Sequence, residues 1–255
     1  MIFTLLTDFG AGSGYPAQMK GVLLTAIPDA RIVDLSHEVP AFDVLAGALL
    51  LEACVPWFPA DAIHVAVVDP GVGTGRRALC VVDAEGRRLV GPDNGLLTPF
   101  LGQGARAWAI ETPGALPVPR SATFHGRDLF APAAAWLARG GEVGRLGGAV
   151  ADPVRLHFPE ASIRGGEVEG EVLATDPFGN LVTSIRERDL RETVRDVSVD
   201  GRPARWVRTF GEASRGELVA MIGSGGRVEV AVCEGSAAAA LGRARGVRVS
   251  LALGA

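Results

Sequence analysis

The chain has 255 residues, of which 48% are hydrophobic, and its formal net charge at pH 7 is −4. This composition supports a substantial core in one large domain or two modest ones, and the absence of a basic run argues against nucleic acid as the main partner. Lys20 is the single lysine, so Schiff-base or P-loop chemistry would depend on it alone.

No apolar stretch of the sequence reaches the ~20 residues that cross a bilayer, which argues against a membrane partner. The cysteines are few and dispersed, without a CxxC pair: Cys54, Cys80 and Cys233. Such a set favours a reducing compartment and no structural zinc. The first ten residues, MIFTLLTDFG, lack the basic start and long apolar run of a signal peptide. We therefore predict a soluble, cytoplasmic protein.

The first part of the chain alternates between strand and helix patterns, which predicts an α/β domain with a mostly parallel sheet and helices on both faces. The predicted elements, in chain order, are strand 2–7, helix 17–27, strand 31–35, helix 43–55, strand 62–69, a hairpin of 78–83 with 87–93, and helix 127–140.

The texture of the sequence changes near residue 150, where glycine-rich loops replace the helical patterns. Short alternating strands with one small helix follow, a spacing typical of a small all-β, barrel-like domain. We predict an α/β domain over 1–157, a linker over 158–166 and a β-barrel-like domain over 167–255.

One glycine loop, VVDPGVGTGRR (67–77), raises the question of phosphate binding. A P-loop needs Lys-Ser/Thr after its last glycine, and a dinucleotide fingerprint needs a third glycine that opens a helix. This loop has Arg76 and Arg77 at those places and leads into a strand. Phosphate binding by the two arginines stays open as a minor alternative.

Two acids, Asp8 and Asp69, each follow an apolar strand and precede a glycine-rich turn. In open α/β sheets ligands bind beyond the carboxyl ends of the strands. Two carboxylates there suit hydroxyl groups or a cation better than a phosphate. The alternative is that each acid only caps the turn that follows it.

Several motifs together closely resemble one family, the S-adenosyl-L-methionine (SAM) hydroxide adenosyltransferases, and they do so in order over nearly the whole chain. The motifs are TDFG (7–10), VVDPGVGTGRR (67–77), GPDNGLLT (91–98), TFHGRDLF (123–130), DPFGN (176–180) and GSGGRVEVAVCEGSA (223–237). The resemblance implies hydrolysis of SAM by water to adenosine and L-methionine, without a metal or cofactor. It also implies a homotrimer with active sites between the N-terminal domain of one subunit and the C-terminal domain of the next.

The resemblance places a catalytic set at Asp69, Arg76 and His125. The halogenating relatives have Tyr-Ser where this chain has His125 and Gly126, and they carry an extra loop for which this chain has no room. Both differences favour water over halide. Without the family, His125 would be interpreted as a hydrogen-bonded histidine at a helix start.

The sulfonium of SAM lets methionine leave as a neutral thioether, so the site must supply an in-line nucleophile. His125 could orient water or take its proton, and Arg76 could stabilise developing hydroxide. Asp69 could pair with Arg76 or orient His125. The sequence leaves open which group activates the water.

The same resemblance implies substrate-binding roles in both domains. Asp8 would bind the ribose hydroxyls, Asp176 the methionine ammonium, Ser224 the methionine carboxylate, Phe178 and Asn180 the adenine, and the backbone near Glu234 the adenine edge, while Phe42 and Phe124 would form walls. DPFGN alone would be interpreted as an ordinary turn, and Phe42 and Phe124 as core residues. The glycine-rich stretch 10–16 departs from the acid-containing version in the family.

The remaining polar residues are interpreted as non-catalytic. His37, His64 and His157 are assigned to structural or surface roles, Arg77 to a solvated neighbour, and Arg127 with Asp128 to fixing the start of their helix. Three rival functions stay open at this point: a halide-dependent SAM enzyme, a SAM- or adenosine-binding module without significant turnover, and a generic nucleotide-binding protein.

Overall fold

The computed structural model describes residues 1–254, which divide into two compact units that meet in sequence between Leu156 and His157. Each unit has its own core. No helix within residues 1–254 is long and apolar enough to cross a membrane. Cys54, Cys80 and Cys233 are free thiols.

The N-terminal unit is built on one mixed sheet. Its strands are β1 (Ile2–Thr7), β2 (Arg31–Ser36), β3 (Ile63–Val67), β4 (Ala78–Val82), β5 (Arg88–Pro92), β6 (Arg106–Ala109) and β7 (Ala149–Val150). They lie in the order β2-β1-β3-β5-β4-β6-β7. The pairs from β2 to β5 are parallel, and the pairs from β5 to β7 are antiparallel.

The predicted α/β class is therefore confirmed, with a larger antiparallel part than "mostly parallel" implies. The β4–β5 hairpin, also predicted, is the physical reason. Its return strand β5 pairs with β3, which leaves β4 to start the antiparallel half. Gly91 permits the close packing here, because a Cβ at that position would lie 2.6 Å from the Ala66 carbonyl oxygen.

Helices cover both faces of this sheet. They are α1 (Tyr15–Ala26), α2 (Val44–Cys54) and α3 (Ala131–Ala138). Helices α1 and α3 share a buried cluster with Phe3 and Leu5 of β1. Helix α2 packs on the other face, where a Cβ on Gly47 would meet Leu96 Cδ1 at 2.9 Å. The predicted helix 127–140 begins as a π-helical segment, Gly126–Phe130, which continues into α3.

The C-terminal unit is a closed barrel. Its strands are β8 (Ser162–Arg164), β9 (Glu167–Thr175), β10 (Leu181–Arg186), β11 (Thr193–Val199), β12 (Arg202–Trp206), β13 (Leu218–Ile222), β14 (Arg227–Val232) and β15 (Arg248–Gly254), with helix α4 (Ala237–Leu241). The ring runs β10-β14-β13-β12-β11-β15-β9, and β9 closes it by pairing with β10. The barrel-like C-terminal class is confirmed.

Strand β8 lies inside the segment 158–166 that the sequence predicts to be a linker. Ser162 and Arg164 pair with Glu169 and Glu167 at the start of β9. Two glycines at positive φ, Gly165 and Gly166, make the tight turn between the two strands. This segment is therefore in part a hairpin arm of the barrel, and its glycines serve the turn.

Candidate active site

Two acids of the N-terminal unit are brought together by the parallel half of the sheet. Strands β1 and β3 are direct neighbours, and Thr7 lies opposite Val67. Asp8 and Asp69 follow these strands, so both carboxylates lie at the carboxyl edge of the sheet although 60 residues separate them in sequence. Both line one cavity of about 290 Å³.

Asp69, Arg76 and His125 form one hydrogen-bonded set. Arg76 Nε donates to Asp69 Oδ1 at 3.0 Å and Arg76 Nη2 donates to Asp69 Oδ2 at 2.5 Å, which is a bidentate pair. The same Nη2 lies 3.0 Å from His125 Nδ1. The side chains of Arg76 and Asp69 are only 7% and 4% exposed. The ring of Phe130 lies 5.5 Å from the Arg76 guanidinium carbon.

The glycine loop between β3 and β4 gives Arg76 its position. The Val72 amide donates to the Asp69 carbonyl at 3.2 Å, and Thr74 Oγ1 donates to the Gly71 carbonyl at 2.7 Å. These tight turns reverse the chain within seven residues, so the guanidinium comes back onto the carboxylate. Gly73 has φ +76°, and a Cβ there would lie 2.8 Å from the Ala122 carbonyl oxygen. The loop and the segment that carries His125 therefore touch backbone to backbone.

The segment before His125 is fixed by an ion pair at the π-helical start. Arg127 donates to both carboxylate oxygens of Asp128, at 2.7 and 2.8 Å. Asp128 Oδ2 also accepts the Ser121 amide at 2.8 Å, and Arg127 Nη1 reaches Gln18 Oε1 of α1 at 2.8 Å. These contacts agree with the positioning role predicted for Arg127 and Asp128.

The hydrogen bond from Arg76 sets the tautomer of His125. Guanidinium nitrogens can only donate, so His125 Nδ1 must accept and the ring proton lies on Nε2. Burial, followed by the charge of Arg76, lowers the pKa of His125 below its usual 6.5. Burial raises the pKa of Asp69, although Arg76 opposes that shift. The site at neutral pH thus combines a neutral imidazole with a carboxylate of increased basicity.

Asp8 is held by the loop before α2. Asp8 Oδ2 accepts the Phe42 amide at 2.9 Å. Phe42 has φ +66°, a left-handed conformation that is uncommon for a residue with a Cβ and often marks a functional loop. Its ring is 70% exposed, so Phe42 is not a core residue. Asp8 also lines the cavity described below.

The cavity beside these acids, which we name the front cavity, holds every residue predicted for the site in this unit except Arg76. Its lining includes Asp8, Phe42, Asp69, Phe124 and His125. Phe9 and Tyr15 also line it and were missed from the sequence. The two rings contact each other and Phe124 edge to face, with centroids 5.1 to 5.8 Å apart. The position of Phe9 next to Asp8 in TDFG was the available signal.

The predicted residues of the C-terminal unit fall in three loops: Asp176, Phe178 and Asn180 between β9 and β10, Ser224 between β13 and β14, and Glu234 between β14 and α4. Asp176 Oδ1 accepts the Phe178 amide at 2.9 Å and the Asn180 amide at 2.8 Å, while Asp176 Oδ2 accepts Asn180 Nδ2 at 2.8 Å. DPFGN is thus a hydrogen-bonded turn, and it presents the Phe178 ring 79% exposed. Gly179 in this turn packs against Ser236, close to Glu234 in sequence.

Glu229 is a polar group in this unit that the sequence did not single out. Its side chain packs against Gly223, next to Ser224. Burial and the charge of Asp176 raise the pKa of Glu229. The carboxyl groups of Glu229 and Asp176 therefore interact electrostatically in this part of the barrel, and Ser224 is adjacent in sequence to the glycine that Glu229 contacts.

The arginines of the glycine loop are paired with carboxylates. Arg77 Nε donates to Asp93 at 2.7 Å and Arg77 Nη1 to Asp152 at 2.8 Å, while its side chain is 40% exposed, so the solvated position predicted for Arg77 is combined with two ion pairs. Arg76 is paired with Asp69. These ion pairs oppose the phosphate interpretation of the loop. His37 and His64 are buried, and their Nδ1 atoms lie 2.8 Å from Thr7 and Thr4 hydroxyls, which fits structural roles.

Comparisons with known proteins cover both units. The N-terminal domain of SAM hydroxide adenosyltransferases matches residues 3–147, and the C-terminal domain of that family matches residues 170–250. A protein of Salinispora tropica named (R)-S-adenosyl-L-methionine hydrolase is 42% identical over 97% of this chain and 96% of its own length. One of the same name from Thermus thermophilus is 46% identical over 96% and 97%. A fluorinase of Actinoplanes sp. is 28% identical over 75% and 74%.

Proposed function

The chain belongs to the SAM hydroxide adenosyltransferase family, and we propose that Asp69, Arg76 and His125 are the groups with which it hydrolyses S-adenosyl-L-methionine to adenosine and L-methionine. The observation that carries this assignment is the hydrogen-bonded set of these three side chains at one end of the front cavity. Two of them, Asp69 and His125, line that cavity together with Asp8.

The reaction is a displacement at the ribose C5′. A water oxygen forms the new bond to C5′, and the C5′–S bond breaks with its electron pair going to sulfur. The sulfonium becomes a neutral thioether, so no acid is needed at the leaving group. One water proton must be released, and the products are adenosine, methionine and that proton.

The hydrogen bonds support different roles for His125 and Asp69. His125 carries its proton on Nε2, because Nδ1 accepts from Arg76, so the imidazole donates a hydrogen bond to the attacking water. Asp69 is then the group that takes the water proton. A carboxylate has about four acceptor sites, of which Arg76 uses two and the Gly71 amide one, and burial raises the pKa of Asp69. Arg76 orients both partners and stabilises the charge of the carboxylate.

The proposed binding roles follow from the hydrogen-bond acceptors that internal contacts leave unused. Asp8 has one oxygen free of the Phe42 amide, which suits the paired ribose hydroxyls. Asp176 Oδ2 accepts one bond within its turn and can accept one more, from the methionine ammonium. Phe178 and the amide of Asn180 would bind adenine, Ser224 the methionine carboxylate, the backbone at Glu234 the adenine edge, and Phe42 with Phe124 would enclose the sugar.

The deciding experiment is to incubate the pure protein with SAM in ¹⁸O-labelled water, with and without chloride, and to identify the products by mass. We expect labelled adenosine and methionine in both cases. A 5′-chloro product would support the halide alternative, which His125 disfavours and which belongs to more distant relatives. Binding of SAM without turnover would support a binding module and would contradict the proposal.

We also propose that the chain acts as a homotrimer, as the family resemblance implies, with each active site shared between neighbouring subunits. Light scattering coupled to size exclusion gives the mass directly. Mixing two inactive variants, Arg76→Ala and Asp176→Ala, tests the sharing, since subunits that combine the intact residues would regain part of the activity. A monomer, or mixed variants that stay inactive, would contradict this proposal.

A further inference from the structure

A second cavity borders the catalytic set. It measures about 480 Å³ and is lined by, among others, Arg76, Glu111, Thr112, Ala122 and His125. We name it the back cavity. A water molecule occupies about 30 Å³ of liquid, so this volume holds several waters, and its charged and hydroxyl side chains can bind them.

The catalytic set forms part of the wall between the front and back cavities. Asp69 lines the front cavity, Arg76 lines the back cavity, and His125 lines both. The Gly73–Ala122 backbone contact belongs to the same wall, because Val72 and Thr123 line the front cavity and Ala122 lines the back cavity. A side chain shared by two cavities can contact substrate on one side and solvent on the other.

We propose that the back cavity is the reservoir from which His125 receives the attacking water. This inference rests on the proposed function. A nucleophile must approach C5′ from the side opposite to the sulfur, and His125 is the group that would hold it there. Exposed residues such as Val118 and Ala122 line the back cavity, so water can enter it from solvent while substrate occupies the front cavity. The back cavity then supplies that water through His125, which lines both cavities.

The test is to fill the back cavity without touching the catalytic set. Ala109→Leu places bulk at a half-buried position of the lining, and Val118→Trp places it at an exposed one. We expect kcat to fall at least tenfold in both variants, while the Kd for SAM, measured calorimetrically, stays within twofold of the wild type. The two variants act at different depths, so a folding defect in one leaves the other to decide.

Two control variants accompany them. Ala109→Ser keeps the cavity open and polar, and Ala84→Leu adds the same bulk in a separate cavity near Phe100. Both should turn over at the wild-type rate. The inference is overturned if the filled variants keep wild-type kcat, or if their Kd for SAM rises in parallel with the loss of rate. Absence of labelled adenosine from the wild-type enzyme in ¹⁸O water would instead refute the proposed function itself.

Discussion

At the scale of single residues, Arg76 decides the chemistry of its two partners. One nitrogen, Nη2, contacts both Asp69 and His125, so a single group fixes the carboxylate orientation and the imidazole tautomer. In the proposed mechanism His125, which the sequence alone left open as a general base, therefore donates a hydrogen bond to the attacking water. The two acid–base roles are separated by hydrogen-bond direction, which no sequence pattern records.

Replacing Arg76 with lysine tests this interpretation. Lysine offers one ammonium in place of a planar fork, so Arg76→Lys cannot hold Asp69 by two bonds and also reach His125. We expect kcat to fall by about 10²-fold or more, with a much smaller change in the Kd for SAM. Arg208→Lys, at an exposed position paired with Glu212, is the control and should have no effect. Wild-type turnover in Arg76→Lys would contradict the assigned role.

The pH dependence of activity follows from the same residues. Protonation of His125 would put a proton on Nδ1 and replace the bond from Arg76 by repulsion. Since burial and Arg76 lower the pKa of His125, the neutral ring persists below pH 6.5 and is lost only as the pH falls through that lowered value. We expect kcat/KM to be flat above pH 7, with an acid limb whose midpoint lies below 6.5.

The measurement is kcat/KM between pH 4.5 and 9, with samples returned to pH 7.5 to exclude irreversible acid damage. An acid midpoint above 6.5 would contradict the lowered pKa of His125 on which this prediction rests. A fall in kcat/KM as the pH rises through 7 would mean that a group other than neutral His125 donates the essential proton.

At the scale of elements, the glycine loop between β3 and β4 fixes Arg76 relative to the segment that carries His125. It returns Arg76 to Asp69 and at Gly73 touches the backbone that leads to His125. We expect Gly73→Ala to lower kcat at least tenfold, because a Cβ would be strained at φ +76° and would collide with the Ala122 carbonyl oxygen. The whole loop would have to shift relative to His125.

Gly75→Ala provides the matched control in the same loop. A Cβ at Gly75 meets nothing within 4 Å, so that variant should keep the wild-type rate and stability. Steady-state kinetics and thermal melting of the two variants give the comparison. Equal kcat for Gly73→Ala and Gly75→Ala would mean that the backbone contact does not matter for catalysis.

Local sequence context singled out the two acids of the site, whereas His125, Arg76 and the residues of DPFGN were assigned through the family resemblance. Asp8 and Asp69 follow buried strands, and their meeting follows from the parallel pairing of β1 and β3. Tyr15 could not be predicted, since its place in the front cavity depends on how α1 packs against the segment of Phe124. The pairing of Arg77 with Asp152 is similarly invisible, because it joins residues 75 apart through tertiary structure.

The fold shows the same division between local and long-range information. Strand and helix positions follow from local hydrophobic periodicity, whereas the mixed character of the sheet depends on which side of β3 the returning strand β5 takes. Strand β8 could not be predicted because its three residues are all exposed and show no apolar alternation. It is a strand only because it pairs with β9. The π-helical segment before α3 leaves no sequence period distinct from an α-helix.

At the scale of the whole molecule, buried histidine links stability to pH. His64 hydrogen-bonds Thr4 through Nδ1, and within the described residues its buried Nε2 has no partner. Burial lowers the pKa of His64 from 6.5 to about 4. In the unfolded chain the same histidine is protonated below its ordinary pKa, so acid favours unfolding.

We expect this histidine alone to remove about 3 kcal/mol of unfolding free energy as the pH falls from 6.5 to 4. Urea unfolding at pH 7 and at pH 4 measures the total change. His64→Gln should show a smaller acid-induced loss than the wild type by about that amount, whereas His157→Gln, at an exposed position, should match the wild type. Identical pH slopes for His64→Gln and the wild type would contradict the prediction.

The closure of the barrel by β9 and β10 also bears on how the chain avoids aggregation. A sheet that meets itself offers no unpaired run of amides and carbonyls along the ring, and β8 covers the early part of β9. Exposed strand edges are the usual templates for amyloid-like addition of further chains. The ring of the C-terminal unit is therefore protected against such growth, and the three exposed residues of β8, which among the described strands pairs only with β9, are the edge at which further chains could extend its hydrogen-bond ladder.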